Sequence, residues 1–199
     1  ETIWNSVLYG IIAATIGTLL SLFVSYLAVK TTLRGRTLPD LLTVVGGSTP
    51  SIVIALALII TFSGNYGLNL YSTMWILVVA YLVKYMTISA ALTQVHSSLE
   101  EAALNSGADW LRCCKDIIVP LIAPSIVAGW FLIFMPSFYE LTMSLLLYGS
   151  ETKTIGVLLY ELQTYADTQN ASVLSVIVLL IVLVGNLILS KATKGNVGI

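Results

Sequence analysis

Ser97-Ser98-Leu99-Glu100-Glu101-Ala102-Ala103-Leu104-Asn105-Ser106-Gly107-Ala108-Asp109-Trp110 is a short helix-forming interval set between two long apolar runs. Ser98 and Glu101 have the spacing of a capping box. The Ser hydroxyl accepts from the amide three residues on, and the Glu carboxylate returns to the Ser amide. Glu100 and Glu101 sit in the first turn, where the helix dipole favours negative charge. Ala102, Ala103 and Leu104 are strong helix formers, and Gly107 supplies the left-handed stop. Asp109 then caps a second helix that begins at Trp110. Leu99, Ala103 and Trp110 make this exposed unit partly apolar. Such a surface either docks on a partner protein or packs against the chain's own membrane domain, and local physics weighs the two equally.

Outward from this interval the sequence is mostly hydrocarbon-compatible. Of 199 residues 57% are hydrophobic and 10% charged, with nine Lys+Arg, ten Asp+Glu and one His. The mean hydropathy is +0.94. Soluble domains carry charge on roughly a quarter of their positions. This balance excludes a soluble globular enzyme, a disordered chain and a nucleic-acid binder, which needs a basic face. Lipid is the expected partner over most of the surface.

Five apolar runs stand out, at about 7–29, 41–62, 74–91, 121–148 and 173–189. Each reaches the ~20 residues that a helix needs to cross the hydrocarbon core. Helix is the default there because lipid offers backbone groups no partner. The fold class expected is therefore all-α, a polytopic membrane protein with five transmembrane helices in a single domain spanning 1–199. The second run contains Pro50. In the fourth, Pro120 and Pro124 suggest a lead-in and Pro136 a kink. A short helix over Ile155–Leu162 is expected to lie at the membrane surface.

Loop charges orient the chain. Lys30, Arg34, Arg36, Arg112, Lys115, Lys191 and Lys194 share one side, whereas the opposite side holds Lys153 with Glu1, Glu151, Glu161 and Asp167. The positive-inside rule puts the N-terminus outside, and the C-terminus and the loop at about 97–116 in the cytoplasm. The first run is too long for a removable signal peptide. An odd number of spans and a start at Glu1 fit a segment of a longer polypeptide. Cys113 and Cys114 are adjacent, so no disulfide framework is expected. One His and two adjacent Cys make a structural zinc site unfavourable. His96 reads as a solvated residue at a span's end.

The loop resembles the cytoplasmic motif of binding-protein-dependent ABC importer permeases. Glu101-Ala102-Ala103, Gly107, Ile117, Val119 and Pro120 stand at that motif's positions, with Val119 in place of the more usual Leu. Asn5-Ser6, Arg34-Gly35-Arg36 and Pro50 also look like family features, so the resemblance covers nearly the whole chain. It implies the permease core fold with a cytoplasmic coupling helix that docks on ABC ATPase subunits. Ser98, Glu101, Ala102, Ala103, Gly107 and Trp110 would form that contact. It further implies an extracytoplasmic binding protein and a second permease core that is identical, related or fused. ATP and Mg would belong to the ATPase. This chain is expected to bind no cofactor and to be no enzyme, and it lacks a Gly-x-x-x-x-Gly-Lys-Ser/Thr phosphate loop.

Candidates for the translocation path follow from polarity within the spans. Ser48 and Pro50 lie in Gly46-Gly47-Ser48-Thr49-Pro50-Ser51, where Gly and Pro weaken a helix and small hydroxyls pack closely or line water. Lys84 lies ~15 Å into its helix at ~1.5 Å per residue, a depth at which an ammonium must pair, snorkel or meet water. Tyr81 and Tyr85 flank it and are positioned to shield its stem. Tyr139, Glu140 and Thr142 lie beyond Pro136. Depth counting does not put Lys84 and Glu140 level, so no ion pair is expected. The stretch Glu140–Gly149, followed by Thr154-Ile155-Gly156-Val157, resembles the ferric-iron branch; phosphonate, thiamine and polyamine branches have comparable segments. Glu140 is a weak candidate for touching a metal cargo, since hard cations prefer oxygen ligands. An ATPase-independent secondary transporter or channel would show similar broken helices and intramembrane charges. A purely structural subunit is the remaining alternative.

Overall fold

The computed structural model describes residues 1–30, 38–64, 66–86, 115 and 119–194. Its helices are α1 (Thr2–Lys30), α2 (Leu38–Ser48), α3 (Ser51–Phe62), α4 (Met74–Tyr85), α5 (Val119–Phe138), α6 (Thr142–Leu147), α7 (Ile155–Thr164) and α8 (Thr168–Lys194). Among the described residues there is no strand, only an isolated bridge between Ser63 and Asn69. The chain is thus all-α, as its apolar runs require in a solvent without hydrogen-bond partners.

Three helical stretches are long and apolar enough to cross a bilayer: Thr2–Ser25, Val119–Phe138 and Thr168–Lys191. Two shorter apolar helices, Ser51–Phe62 and Met74–Tyr85, stand where the second and third spans were expected. The second expected span is in two pieces, because α2 ends at Ser48 and α3 starts at Ser51. Residues 87–91 of the third lie outside the described residues. So does the loop at 97–116 apart from Lys115, which is exposed. Helix α5 runs through Pro124 and Pro136, and the interruption falls at 139–141, ahead of α6.

Helix α1 is the centre of the bundle and packs against α5, α4 and α7. Its buried side is small or polar: Ser6, Ala13, Ala14, Thr18, Ser21 and Ser25, with Tyr9 as the large member. Leu19, Leu20 and Phe23 point outward. This inversion suits lipid. Tails are as apolar as Leu, so helices associate through close packing of small residues rather than by hiding large ones. Gly17 shows the closeness, since a Cβ there would come within 2.9 Å of the Ile133 side chain on α5.

On α5, Trp130, Phe134 and Phe138 recur every four residues and stack, with centroids 5.0 and 6.0 Å apart. The Trp130 indole N–H donates to the Thr15 hydroxyl at 3.1 Å, tying α5 to α1. Helix α8 lies along α5 and α7 and leaves most of its apolar surface outward. Helix α7 is present as expected, with its first turn packed into the protein. Ile155, Gly156 and Val157 are buried against the bundle. The start of α1 holds it there. Asn5 donates to the carbonyls of Glu151 and Lys153, each at 3.1 Å, and the Ser6 hydroxyl accepts from the Ile155 amide at 2.7 Å.

Candidate functional site

Two helix interruptions meet on the last turn of α4, and the two charged groups expected within the spans, Lys84 and Glu140, lie there. The first is the α2–α3 break. Pro50 has extended backbone, with φ −57° and ψ 138°. Without an N–H it cannot close the bond to the Gly46 carbonyl, so α2 ends with free acceptors. The Thr49 amide and hydroxyl both return to the Val45 carbonyl, at 3.0 and 2.7 Å. The Lys84 ammonium takes the carbonyls of Gly47 and Thr49, at 3.0 and 2.6 Å. Gly46 makes this reach possible, because a Cβ there would overlap the Val83 carbonyl oxygen. The lysine is therefore neither bare in lipid nor reaching for the surface. It caps a helix end whose dipole is negative.

The second interruption separates α5 from α6. Glu140 is 8% exposed. One carboxylate oxygen accepts from the Met143 amide at 3.0 Å, in the first turn of α6, and the other accepts from the Tyr85 hydroxyl. Tyr81 and Ser144 share a buried hydrogen bond of 2.7 Å beside them. Helix α7 closes the far side, where a Cβ on Gly156 would lie 2.8 Å from the Glu140 carbonyl oxygen.

Neighbouring residues of α4 thus serve different breaks: Lys84 the first, Tyr85 the second. Depth counting along straight spans misplaces Glu140, which the interruption at 139–141 brings to the level of residue 85. Among the described residues Lys84 and Glu140 nevertheless form no ion pair, since each is engaged by a helix end. The hydroxyls of Tyr81 and Tyr85 turn to α6 and the Glu140 break instead of towards Lys84.

The other candidates are scattered. Ser48 and Pro50 are exposed beside the first break, and Thr142 is exposed at the start of α6. Tyr139 lines an apolar groove of about 720 Å³ with Leu159, Val178, Leu179, Val182 and Leu183, between α7 and α8. Among the described residues no group of three or more His, Cys, Asp or Glu has the arrangement for a metal ion. Each Glu140 carboxylate oxygen accepts one hydrogen bond from the protein. Ser98, Glu101, Ala102, Ala103, Gly107 and Trp110 lie outside the described residues.

Sequence reasoning missed the use of Tyr85, Gly46 and the Thr49 carbonyl. Tyr85 carried a signal in its place beside an intramembrane lysine. The carbonyl carried none, because any residue has one.

Residues 6–193 match the family of binding-protein-dependent transport system inner membrane components. The chain belongs to that family. Among its relatives, the Fe(3+)-transport system permease protein FbpB 2 of Haemophilus influenzae is 31% identical over 117 residues, 56% of this chain and 23% of that protein. The putrescine transport system permease protein PotI of Escherichia coli is 31% identical over 126 residues, 62% of this chain and 43% of that one. The spermidine/putrescine permease protein PotC of Escherichia coli is 25% identical over 203 residues, covering 98% and 76%. The chain therefore spans less than half the length of the first two relatives. The fold is that of the MetNI methionine ABC transporter in its inward-facing conformations, with TM-score 0.75, 13% identity, and 98% of this chain and 94% of that one covered. A bacterial alginate ABC transporter, in complex with its periplasmic protein bound to an alginate pentasaccharide, matches at TM-score 0.65 and 19% identity over 98% and 80%.

Proposed function

We propose that this chain is the transmembrane permease core of an ATP-driven importer, passing cargo from an extracytoplasmic binding protein to the cytoplasm. Family membership over residues 6–193 is the observation that carries this reading. The two interrupted helices on α4 support it, because non-helical backbone deep in a membrane belongs where a path opens and closes. An ATPase-independent transporter shares those breaks but not the family. In this reading a separate ATPase hydrolyses ATP with Mg and docks on the helix at 98–110. The N-terminus lies outside, the C-terminus in the cytoplasm, and a second core faces this one.

Ferric iron is the proposed cargo, favoured by the resemblance of the segment after Glu140 and by the identity with the Haemophilus influenzae Fe(3+)-transport protein. A polyamine is the second reading, favoured by the alignment with PotC over 98% of the chain. Reconstitution of the permease with its ATPase and binding protein in liposomes tests both points. ATP-dependent uptake of radiolabelled ferric iron, with none of labelled putrescine, is expected. Uptake of putrescine alone replaces the cargo. Uptake of either one without ATP removes the importer reading.

A further inference from the structure

We propose that Lys84 is a positioning residue: its ammonium is a releasable cap on the α2–α3 break, through which movement of α4 is passed to α2. Three observations on adjacent residues carry this. Pro50 has extended backbone and breaks the helical ladder, so the Val53 amide bonds the Pro50 carbonyl and leaves the Thr49 carbonyl without its helical donor. Lys84 supplies N–H groups from another helix, with two of its three donors on the Gly47 and Thr49 carbonyls at 3.0 and 2.6 Å. Gly46 lies against the Val83 carbonyl so closely that no side chain fits between α2 and α4. The pair Gly46–Val83 is a backbone fulcrum, and Lys84 with Gly47 and Thr49 is the tie beside it.

The arrangement resolves two costs together. An ammonium within a span is expensive, and so are unpaired carbonyls at a helix end. Each group supplies what the other lacks, yet no covalent bond or continuous helix holds them. Separation at this point therefore exposes both groups, which gives two discrete arrangements in place of a gradual bend. Position also matters. Helix α4 ends at Tyr85, one residue beyond the cap, so movement at the end of α4 acts directly on the tie.

The proposal differs from a cargo-contacting lysine, which would leave the α2 end unchanged when removed. Its transport consequence rests on the importer reading, whereas the cap itself does not. The test is amide hydrogen exchange on the membrane-reconstituted, assembled transporter. It reads Thr49, Val53 and Ile54, whose amides bond to Val45 and Pro50 around the break. Lys84→Met is expected to speed exchange there by about tenfold or more, the scale of a lost charge-assisted bond, with α1 and α7 unchanged. Lys84→Arg restores it. Pro50→Ala lets the helical ladder run on, offering the Gly47 and Thr49 carbonyls the amides of Ser51 and Val53, so adding Lys84→Met on that background costs much less. Gly46→Ala, which keeps the lysine but wedges α2 off Val83, opens the same window and serves should Lys84→Met fail to insert. In uptake assays Lys84→Met continues to hydrolyse ATP while transport falls, and Lys84→Arg recovers it. Unchanged exchange around Pro50 in both Lys84→Met and Gly46→Ala overturns the cap. A changed cargo KM with unchanged exchange overturns it in favour of cargo contact. Absence of ATP-dependent uptake by the unmodified transporter defeats the importer reading alone, and the exchange result still decides the cap.

Discussion

Glu140 is held by two donors from different elements, and this gives its substitutions a definite sign. Glu140→Ala strands the Met143 amide and the Tyr85 hydroxyl inside the bundle. An unsatisfied buried polar group costs about 1–3 kcal/mol, so the variant is expected to unfold at clearly lower temperature in detergent. Glu140→Gln, which keeps one acceptor, should lose less. Because both carboxylate oxygens already accept bonds, the cargo KM of Glu140→Gln should match the parent, as uptake kinetics will show. A KM raised in proportion to the lost charge would put cargo on that carboxylate after all. Outside the spans, Lys153 and Glu161 pair at 2.7 Å, both partly exposed. The hydrogen bond that Lys153 donates to Glu161 raises the Lys153 pKa above its ordinary 10.5. A raised lysine pKa stabilises the folded state below the unfolded value, and that stability is lost as pH rises through the folded one. The pair is thus intact at neutral pH and is lost as Lys153 deprotonates in strong alkali. Glu161→Gln should cost no more than about 1 kcal/mol, with the difference from the parent vanishing above the folded Lys153 pKa in a pH series of melting curves.

At the scale of elements, close approach does the work that large apolar side chains do in soluble cores. Gly156 puts the first turn of α7 on the Glu140 carbonyl, with 2.8 Å left for a Cβ. Gly156→Val must push α7 off the α5–α6 break, at a cost of about 1–3 kcal/mol by the measure of overpacked sites. The expected result is a lowered melting temperature together with weaker protection of the Met143 amide. Equal stability of parent and variant would show that α7 is not a lid on that break. The breaks themselves differ in legibility. Pro50 marks the first plainly, since proline cannot donate and its predecessor avoids helix. Nothing comparable marks 139–141. Helix α5 continues past Pro136 and stops only after Phe138. The interruption is set by Glu140 turning to cap α6 and by Gly156 packing behind it, and both are contacts with residues later in the chain.

For the whole molecule, the proposed function demands that energy enter at one surface and cargo pass through another. Glu101→Lys reverses charge in the first turn of the helix expected at 98–110, and Gly107→Trp fills its Gly turn. Both should abolish uptake while the permease still inserts and still co-purifies its second core. Uptake assays beside membrane-fraction blots will check this, and normal transport by both variants would remove that segment from coupling. In the proposed function, the interrupted helices joined at one turn of α4 would pass such energy inward through Lys84 and Tyr85.

The amino-acid order by itself determined that this chain is helical and lives in a bilayer, because backbone satisfaction in lipid is a local matter that each apolar run must solve alone. It also determined the family, through residue types fixed across the loop from Glu101 to Pro120. The tertiary structure alone decided where the intramembrane charges go. Lys84 finds carbonyls more than thirty residues earlier, and Glu140 finds Tyr85 across fifty-five positions. No periodicity or spacing encodes such partners. They are set by which broken helix ends the packed bundle brings within reach of a donor or an acceptor, and by the high cost of leaving either unpaired away from water.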